Sequence, residues 1–371
     1  MMAARGSTIG AVKLCPLLLL VVTVACGGTP SAPAPSPSAT ASPTPSPSPP
    51  GSPLPSPLPS EGGYGVLATY VAAGTYTISL VGSDGKVASS AQASHPMNIT
   101  CSSTTGADLP HPVSTSNSRA YFLDAQGAVR FLTATGQTGK ATTLPVGSKR
   151  QSLFAVSPDD KRIAVVVSDY SATGAATSLY VEDLNGGANH KVLVTDTGAF
   201  GLWPVGWHGA DLVVAKVTSC TSGGGPLCCG PREFYVVDAT TGARSRTLGG
   251  PDCIPTGPPS KAGVICETSV QANVLDWTGT TTRSFSIQGG LALRAYLSPN
   301  GNQAALVADQ NTTVEGSLTS FDGFQACGWI DSSRVLGGDG QGKPMVGDMN
   351  TGRVVSVAAQ GGCAGRIPGG L

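Results

Sequence analysis

Val156-Ser157-Pro158-Asp159-Asp160-Lys161-Arg162-Ile163-Ala164-Val165-Val166 is the stretch from which the fold can be read. An apolar residue is followed by Ser-Pro, two acidic residues, a basic pair and then a β-branched apolar run. Proline presets φ for the second position of a turn, Asp bonds its own backbone, and the closing run favours a pleated, buried strand. The stretch is therefore a hairpin, and it recurs as Leu297-Ser298-Pro299-Asn300-Gly301-Asn302-Gln303-Ala304-Ala305-Leu306. Compressed versions are Gly206-Trp207-His208-Gly209-Ala210-Asp211-Leu212-Val213 and Gly328-Trp329-Ile330-Asp331-Ser332-Ser333-Arg334-Val335. All four predict a turn between an inner and a second strand.

A second piece recurs with them: Leu179-Tyr180-Val181-Glu182-Asp183, Phe234-Tyr235-Val236-Val237-Asp238, Val274-Leu275-Asp276 and Met345-Val346-Gly347-Asp348, each running into a Gly-containing turn and then a polar-apolar fourth strand. Asp183, Asp238, Asp276 and Asp348 read as turn caps. From Glu61 onward no helical periodicity appears, and four strands per unit describe the blade of a β-propeller. The 311 residues from 61 to 371 give about 44 per blade for seven blades, against about 52 for six and about 39 for eight, so seven fits the usual repeat best. The body opens on what read as second, third and fourth strands (66–71, 75–81 and 86–91). The tail Cys363 to Leu371 supplies the missing inner strand and closes the ring, which removes open sheet edges.

Ser157-Pro158-Asp159-Asp160-Lys161-Arg162-Ile163-Ala164, followed by Leu179-Tyr180-Val181-Glu182-Asp183, resembles the WD-like repeat of TolB-type propellers. The resemblance implies a bacterial envelope propeller that binds proteins, or sits beside a channel or an enzyme domain. TolB-type proteins carry an α/β domain before the propeller, and this chain has a different segment there.

Residues 1–25 carry Arg5, Lys13 and no acid, then an apolar run from Leu14 to Ala25 that is too short to span a bilayer. The run ends at Thr23-Val24-Ala25-Cys26, which resembles a lipobox, with Cys26 as the diacylated first residue of the mature chain; ordinary cleavage after Ala25 is the alternative. Residues 27–60 hold 13 Pro in 34 positions and no charge, the composition of an extended stalk reaching on the order of 100 Å. Removing the two leader charges from 22 Lys+Arg leaves 20 against 22 Asp+Glu, a net charge of −2 and no basis for nucleic-acid binding. The whole chain is 12% charged, about half the usual share.

With Cys15 lost in the leader and Cys26 assigned to lipid, Cys101, Cys220, Cys228, Cys229, Cys253, Cys266, Cys327 and Cys363 remain, an even number that reads as disulfides in an exported chain. Cys253 and Cys266 share the symmetry of the Ser157 hairpin, so they are expected to face each other across a strand pair, a bond contributing about 3 kcal/mol. The Gly-rich insertion Cys220 to Pro231 is expected to close on itself through Cys220 and either Cys228 or Cys229. All but Cys266 fall in or beside connections on one face of the disc.

The connection from Ala93 to Val113 also holds His95, Asp108 and His111 besides Cys101, donors of the kind zinc or copper takes, but their spacing fits no chelating motif. The reading is a disulfide with solvent-exposed His and no metal or other cofactor. Trp207 and Trp329 recur at equivalent positions and read as inter-blade packing, which leaves Trp203 as the candidate ligand platform. Thr135 to Thr142 is a turn rather than a phosphate loop, and the four His show no acid–base spacing, so no catalytic residue is assigned. These features together predict a monomeric, extracytoplasmic propeller held to the membrane by its lipid alone, presenting the cysteine-bearing face to a protein or cell-wall polymer. The alternative is an envelope hydrolase or lyase with its site at the central channel mouth.

Overall fold

The computed structural model describes residues 62–69, 74–96, 98–107, 109–222, 230–286 and 294–371. The leader, Cys26, the Pro-rich tract, Asp108, Cys228 and Cys229 lie outside the described residues. The described residues form strands only, arranged as seven four-stranded antiparallel sheets: a seven-bladed β-propeller.

Blade 1 begins with β1 (Tyr64–Ala68), β2 (Thr75–Gly82) and β3 (Val87–Ser94). Blade 2 is β4 (Val113–Thr115), β5 (Arg119–Leu123), β6 (Ala128–Thr133) and β7 (Thr138–Thr143), and blade 3 is β8 (Arg150–Val156), β9 (Arg162–Ser171), β10 (Gly174–Asp183) and β11 (Lys191–Gly198). Blade 4 is β12 (Phe200–His208), β13 (Asp211–Thr218), β14 (Glu233–Asp238) and β15 (Arg244–Gly249), and blade 5 is β16 (Ile254–Pro255), β17 (Val264–Glu267), β18 (Gln271–Leu275) and β19 (Thr281–Ser286). Blade 6 is β20 (Arg294–Leu297), β21 (Ala304–Ala308), β22 (Asn311–Glu315) and β23 (Ser320–Phe321), and blade 7 is β24 (Gln325–Trp329), β25 (Arg334–Gly338), β26 (Pro344–Asp348) and β27 (Val354–Ser356). The last strand, β28 (Gly362–Ile367), pairs with β1 and completes blade 1 as its inner strand, so both ends of the propeller share one blade.

The repeated hairpin explains its own sequence. In blade 3 the Ser157 hydroxyl donates to Asp159 Oδ1 at 2.7 Å and accepts the Arg162 N–H at 2.9 Å, while the Asp160 N–H closes the turn on Ser157 O. Blade 6 repeats these bonds with Ser298, Asn300, Gln303 and Gly301. The fourth turn residue has φ of +75° at Gly301 but +61° at Asp160, a left-handed conformation that costs a residue with a Cβ about 1–2 kcal/mol. The Asp160 carboxylate offsets that cost across the blade boundary: it accepts from Arg119 Nη1 (3.1 Å), the Tyr121 hydroxyl (2.9 Å) and the Ser118 hydroxyl (3.1 Å) of blade 2. Burial, reinforced by the Asp160 charge, pushes the Tyr121 phenol up.

The core lies between blades. Second and third strands touch a neighbour on either side, so they read as continuous apolar runs: every residue of β5 is buried, as are Ile163 to Val166 of β9. Outer strands such as β11 and β15 are mostly exposed. Trp207 and Trp329 serve the packing as expected. Each follows a bulge at a Gly, and each indole N–H reaches the inner strand of the preceding blade, to Ala155 O at 3.0 Å and Tyr296 O at 2.7 Å. A buried indole must find such a partner, which fixes where the next blade sits.

Strand direction defines two faces. Turns between inner and second strands, the start of β1 and the end of β28 lie on one, called here the tail face. Connections into inner strands, and those between second and third strands, lie on the other. Because all six described cysteines sit in or beside that second set, it is called the stapled face.

Candidate functional site

Three disulfides organise the stapled face. Cys253–Cys266 lies within blade 5, Cys327–Cys363 joins the inner strands of blades 7 and 1, and Cys101–Cys220 joins the blade 1 to blade 2 connection to the loop after β13 in blade 4. The first does not directly face across the strand pair. The register matches Pro255 with Cys266, so Cys253 reaches it diagonally from two residues before, just outside β16. The expectation that Cys220 closes its own Gly-rich insertion is corrected: its partner is Cys101, 119 residues away. The reason is spatial. The connection leaving β3 forms a small hairpin, bridged Thr100 to Gly106, and Gly106 exchanges two backbone hydrogen bonds with Thr221 at 2.9 and 2.8 Å. That backbone bridge places Cys101 beside Cys220, and Lys149 Nζ adds a bond to Thr100 O at 2.8 Å.

His95 and His111 flank this connection, and neither is solvent-exposed, contrary to expectation. His95 packs edge-on to Tyr76, and the His111 ring lies against Gly362, where β28 begins. Burial holds the His111 imidazole down to about 4, and neighbouring His95 pushes it the same way. An unfolded His titrates near 6.5, so below that pH the unfolded chain takes up a proton that the folded chain refuses until about 4. Stability should therefore be full above pH 6.5 and fall by about 3 kcal/mol as pH drops to about 4. Melting temperatures across this range should show the decline in the native chain and a flatter profile in His111→Gln; parallel profiles would refute the assignment.

Around the staples the face is partly apolar. Phe200 at the start of β12, Ile254 in β16 and Val270 in the turn after β17 are 45, 47 and 72% exposed, on adjacent blades 4 and 5. Lys216 Nζ lies 4.8 Å from the Phe200 ring centre and 2.7 Å from Glu233 Oε1. That pairing raises the lysine and lowers the glutamate. Arg150 and Asp169 form a bidentate pair at 2.6 and 2.8 Å on blade 3. Both pairs join residues directly opposed on adjacent strands, Lys216 with Glu233 across β13 and β14 and Arg150 with Asp169 across β8 and β9.

Trp203 sits in β12, partly buried against the cluster between blades 4 and 5, where inter-blade packing accounts for its position. Asp238 and Asp276 cap their turns through backbone N–H groups, and the bonds from the Thr241 N–H and the Thr278 hydroxyl respectively lead in holding their carboxyls below the usual carboxylate range. Asp183 departs from this pattern, its side chain accepting from Asn189 instead. His190 pairs with Glu182 at 2.7 Å, and His208 lies on the tail face, so the four His do not converge. Among the described residues no three His, Cys, Asp or Glu gather as a metal site, and no helix is long and apolar enough to cross a membrane. These three apolar residues escaped the sequence reading because each stands alone in its own segment of the chain; the ring places all three on blades 4 and 5.

No family model matches the chain, and no curated protein matches it. Among solved structures it is similar to a chain of the "Crystal Structure of Mitotic Checkpoint Complex" at 12% identity, TM-score 0.44, over 74% of this chain and 83% of the other. It is also similar to "Dihydro-heme d1 dehydrogenase NirN in complex with DHE" at 14% identity, TM-score 0.48, over 85% and 77%. The three disulfides point to an oxidising, extracytoplasmic setting.

Proposed function

We propose that this chain is a non-catalytic binding or scaffold propeller of the bacterial cell envelope, of TolB type, whose stapled face meets a protein or cell-wall polymer. One observation carries the reading: the chain enters the propeller at Tyr64 on the tail face, opposite to the three disulfides and the exposed Phe200, Ile254 and Val270. The stapled face is the one remote from that point of entry. Cross-linked loops there lose little entropy when they bind, and exposed apolar side chains on that face are what a partner interface draws on.

Cross-linking and co-purification from the native envelope test the proposal. A double change of Phe200 and Val270 to Glu should reduce recovery of the captured partner at least about tenfold, whereas Leu318→Glu, a still more exposed site between β22 and β23 on the tail face, should leave it unchanged. Retention of full capture by the double variant rejects the stapled face. An assayable turnover that falls by orders of magnitude on substituting this face favours the envelope hydrolase or lyase instead. On the same material, the N-terminal peptide should carry a diacylated Cys26; an unmodified terminus rejects the anchor.

A further inference from the structure

The closing strand ends at Ile367, yet the chain continues across the tail face along the turns of three more blades. The Gly369 N–H donates to Ser116 O of blade 2 at 2.7 Å, Gly370 lies on Pro158 of blade 3, and the Leu371 N–H donates to Trp207 O of blade 4 at 2.8 Å. The Leu371 carbonyl accepts from His208 Nδ1–H at 2.9 Å, and the imidazole is oriented by stacking on Trp277, ring centres 4.7 Å apart and planes at 22°. The leucine side chain rests on the bare backbone of Gly206, where an added Cβ would lie 3.0 Å from its Cγ, and it packs with Trp203, Val205, Leu275 and Trp277 against the core.

The groove excludes side chains at the two preceding positions. A Cβ at Gly369 would lie 2.4 Å from Thr115 O, and Gly370 has φ of +88° with Pro158 Cγ 2.9 Å from an added Cβ. Ring closure requires none of this, since the pairing of β28 with β1 is complete at Ile367. What remains is main-chain partners at fixed spacing, a sieve for two glycines and an apolar seat, the usual elements of a site for an extended peptide.

We propose that this tail-face groove is a binding site for an extended Gly-Gly-Leu segment of a partner protein, held shut by residues 369–371 of the same chain. The site is separate from the stapled face and does not depend on its assignment. A short tether gives the resident segment an effective concentration in the millimolar range, so an incoming peptide binds measurably only when the tail has left.

The test is a chain ending at Pro368, which keeps all of β28, titrated with acetyl-Ile-Pro-Gly-Gly-Leu-amide and followed by tryptophan fluorescence and calorimetry. Saturable binding is expected, at least about tenfold weaker for a peptide with Gly in place of the Leu, and at least about tenfold weaker to the full chain. A Gly206→Val change in the shortened chain should remove it by filling the seat. A shortened chain that melts as the full one does and binds no peptide overturns the proposal, as does equal binding of the Leu and Gly peptides. Should shortening disturb the ring, Leu371→Gly in the full chain must bind the peptide at least about tenfold more tightly than the native chain; equal binding again overturns the proposal.

Discussion

A chain ending at Gly361 should lose its cooperative thermal transition or melt at least about 12 °C lower than the full chain. Strand β28 supplies five paired positions to β1, from Tyr64–Ile367 to Ala68–Gly362, and its Ile367 is 1% exposed in the cluster between blades 1 and 2. Its removal leaves β1 as an open edge at the centre of the ring, uncovers about 2 kcal/mol of apolar burial and deletes Cys363. The lost Cys327–Cys363 bond spans 36 residues and is worth about 4 kcal/mol in the chain-entropy account. For a body of this size each kcal/mol moves the midpoint by about 2–4 °C, which gives the expected shift. Calorimetry decides it, and a shortened chain that melts at the native temperature would remove ring closure from the account.

The other large effect belongs to the longest staple. Changing Cys101 and Cys220 together to Ser should cost about 2–5 kcal/mol, because the bond removes the closure entropy of a 119-residue separation from the unfolded chain. Hydrogen exchange should rise around Thr100 to Gly106 and Thr221, whose two backbone bonds then hold the bridge without covalent help, while blades 5 and 6 keep their protection. An unchanged melting temperature and exchange pattern would show that the backbone bridge alone suffices.

The parts of this fold legible in the sequence are those where local chemistry repeats. Ser157-Pro158 and Ser298-Pro299 announce the same turn because the serine hydroxyl must satisfy the same two backbone positions in each blade. Gly206-Trp207 and Gly328-Trp329 announce the same bulge because each indole must reach the blade before. The absent inner strand at the start was legible because an antiparallel blade cannot leave its central edge bare.

What could not be read depends on which loops the closed ring brings together. Cys220 looked toward its sequence neighbours, yet Gly106 and Thr221 decide its partner through backbone bonds that no side-chain pattern encodes. Asp160 read as an ordinary turn residue until Arg119 and Tyr121 of blade 2 were placed beside it. The two-residue β16 strand shifted the Cys253 register because so short a strand has no alternation to set it. The placing of Phe200, Ile254 and Val270 on one face, and the Gly-Gly-Leu groove, are likewise products of the ring.

A rigid stapled face opposite the chain's point of entry is the claim on which the binding proposal rests, and a peptide map of the native chain under non-reducing conditions tests it most directly. The expected map contains Cys101 linked to Cys220, Cys253 to Cys266 and Cys327 to Cys363. Recovery of Cys220 joined to Cys228 or Cys229, with Cys101 as a free thiol, would contradict it.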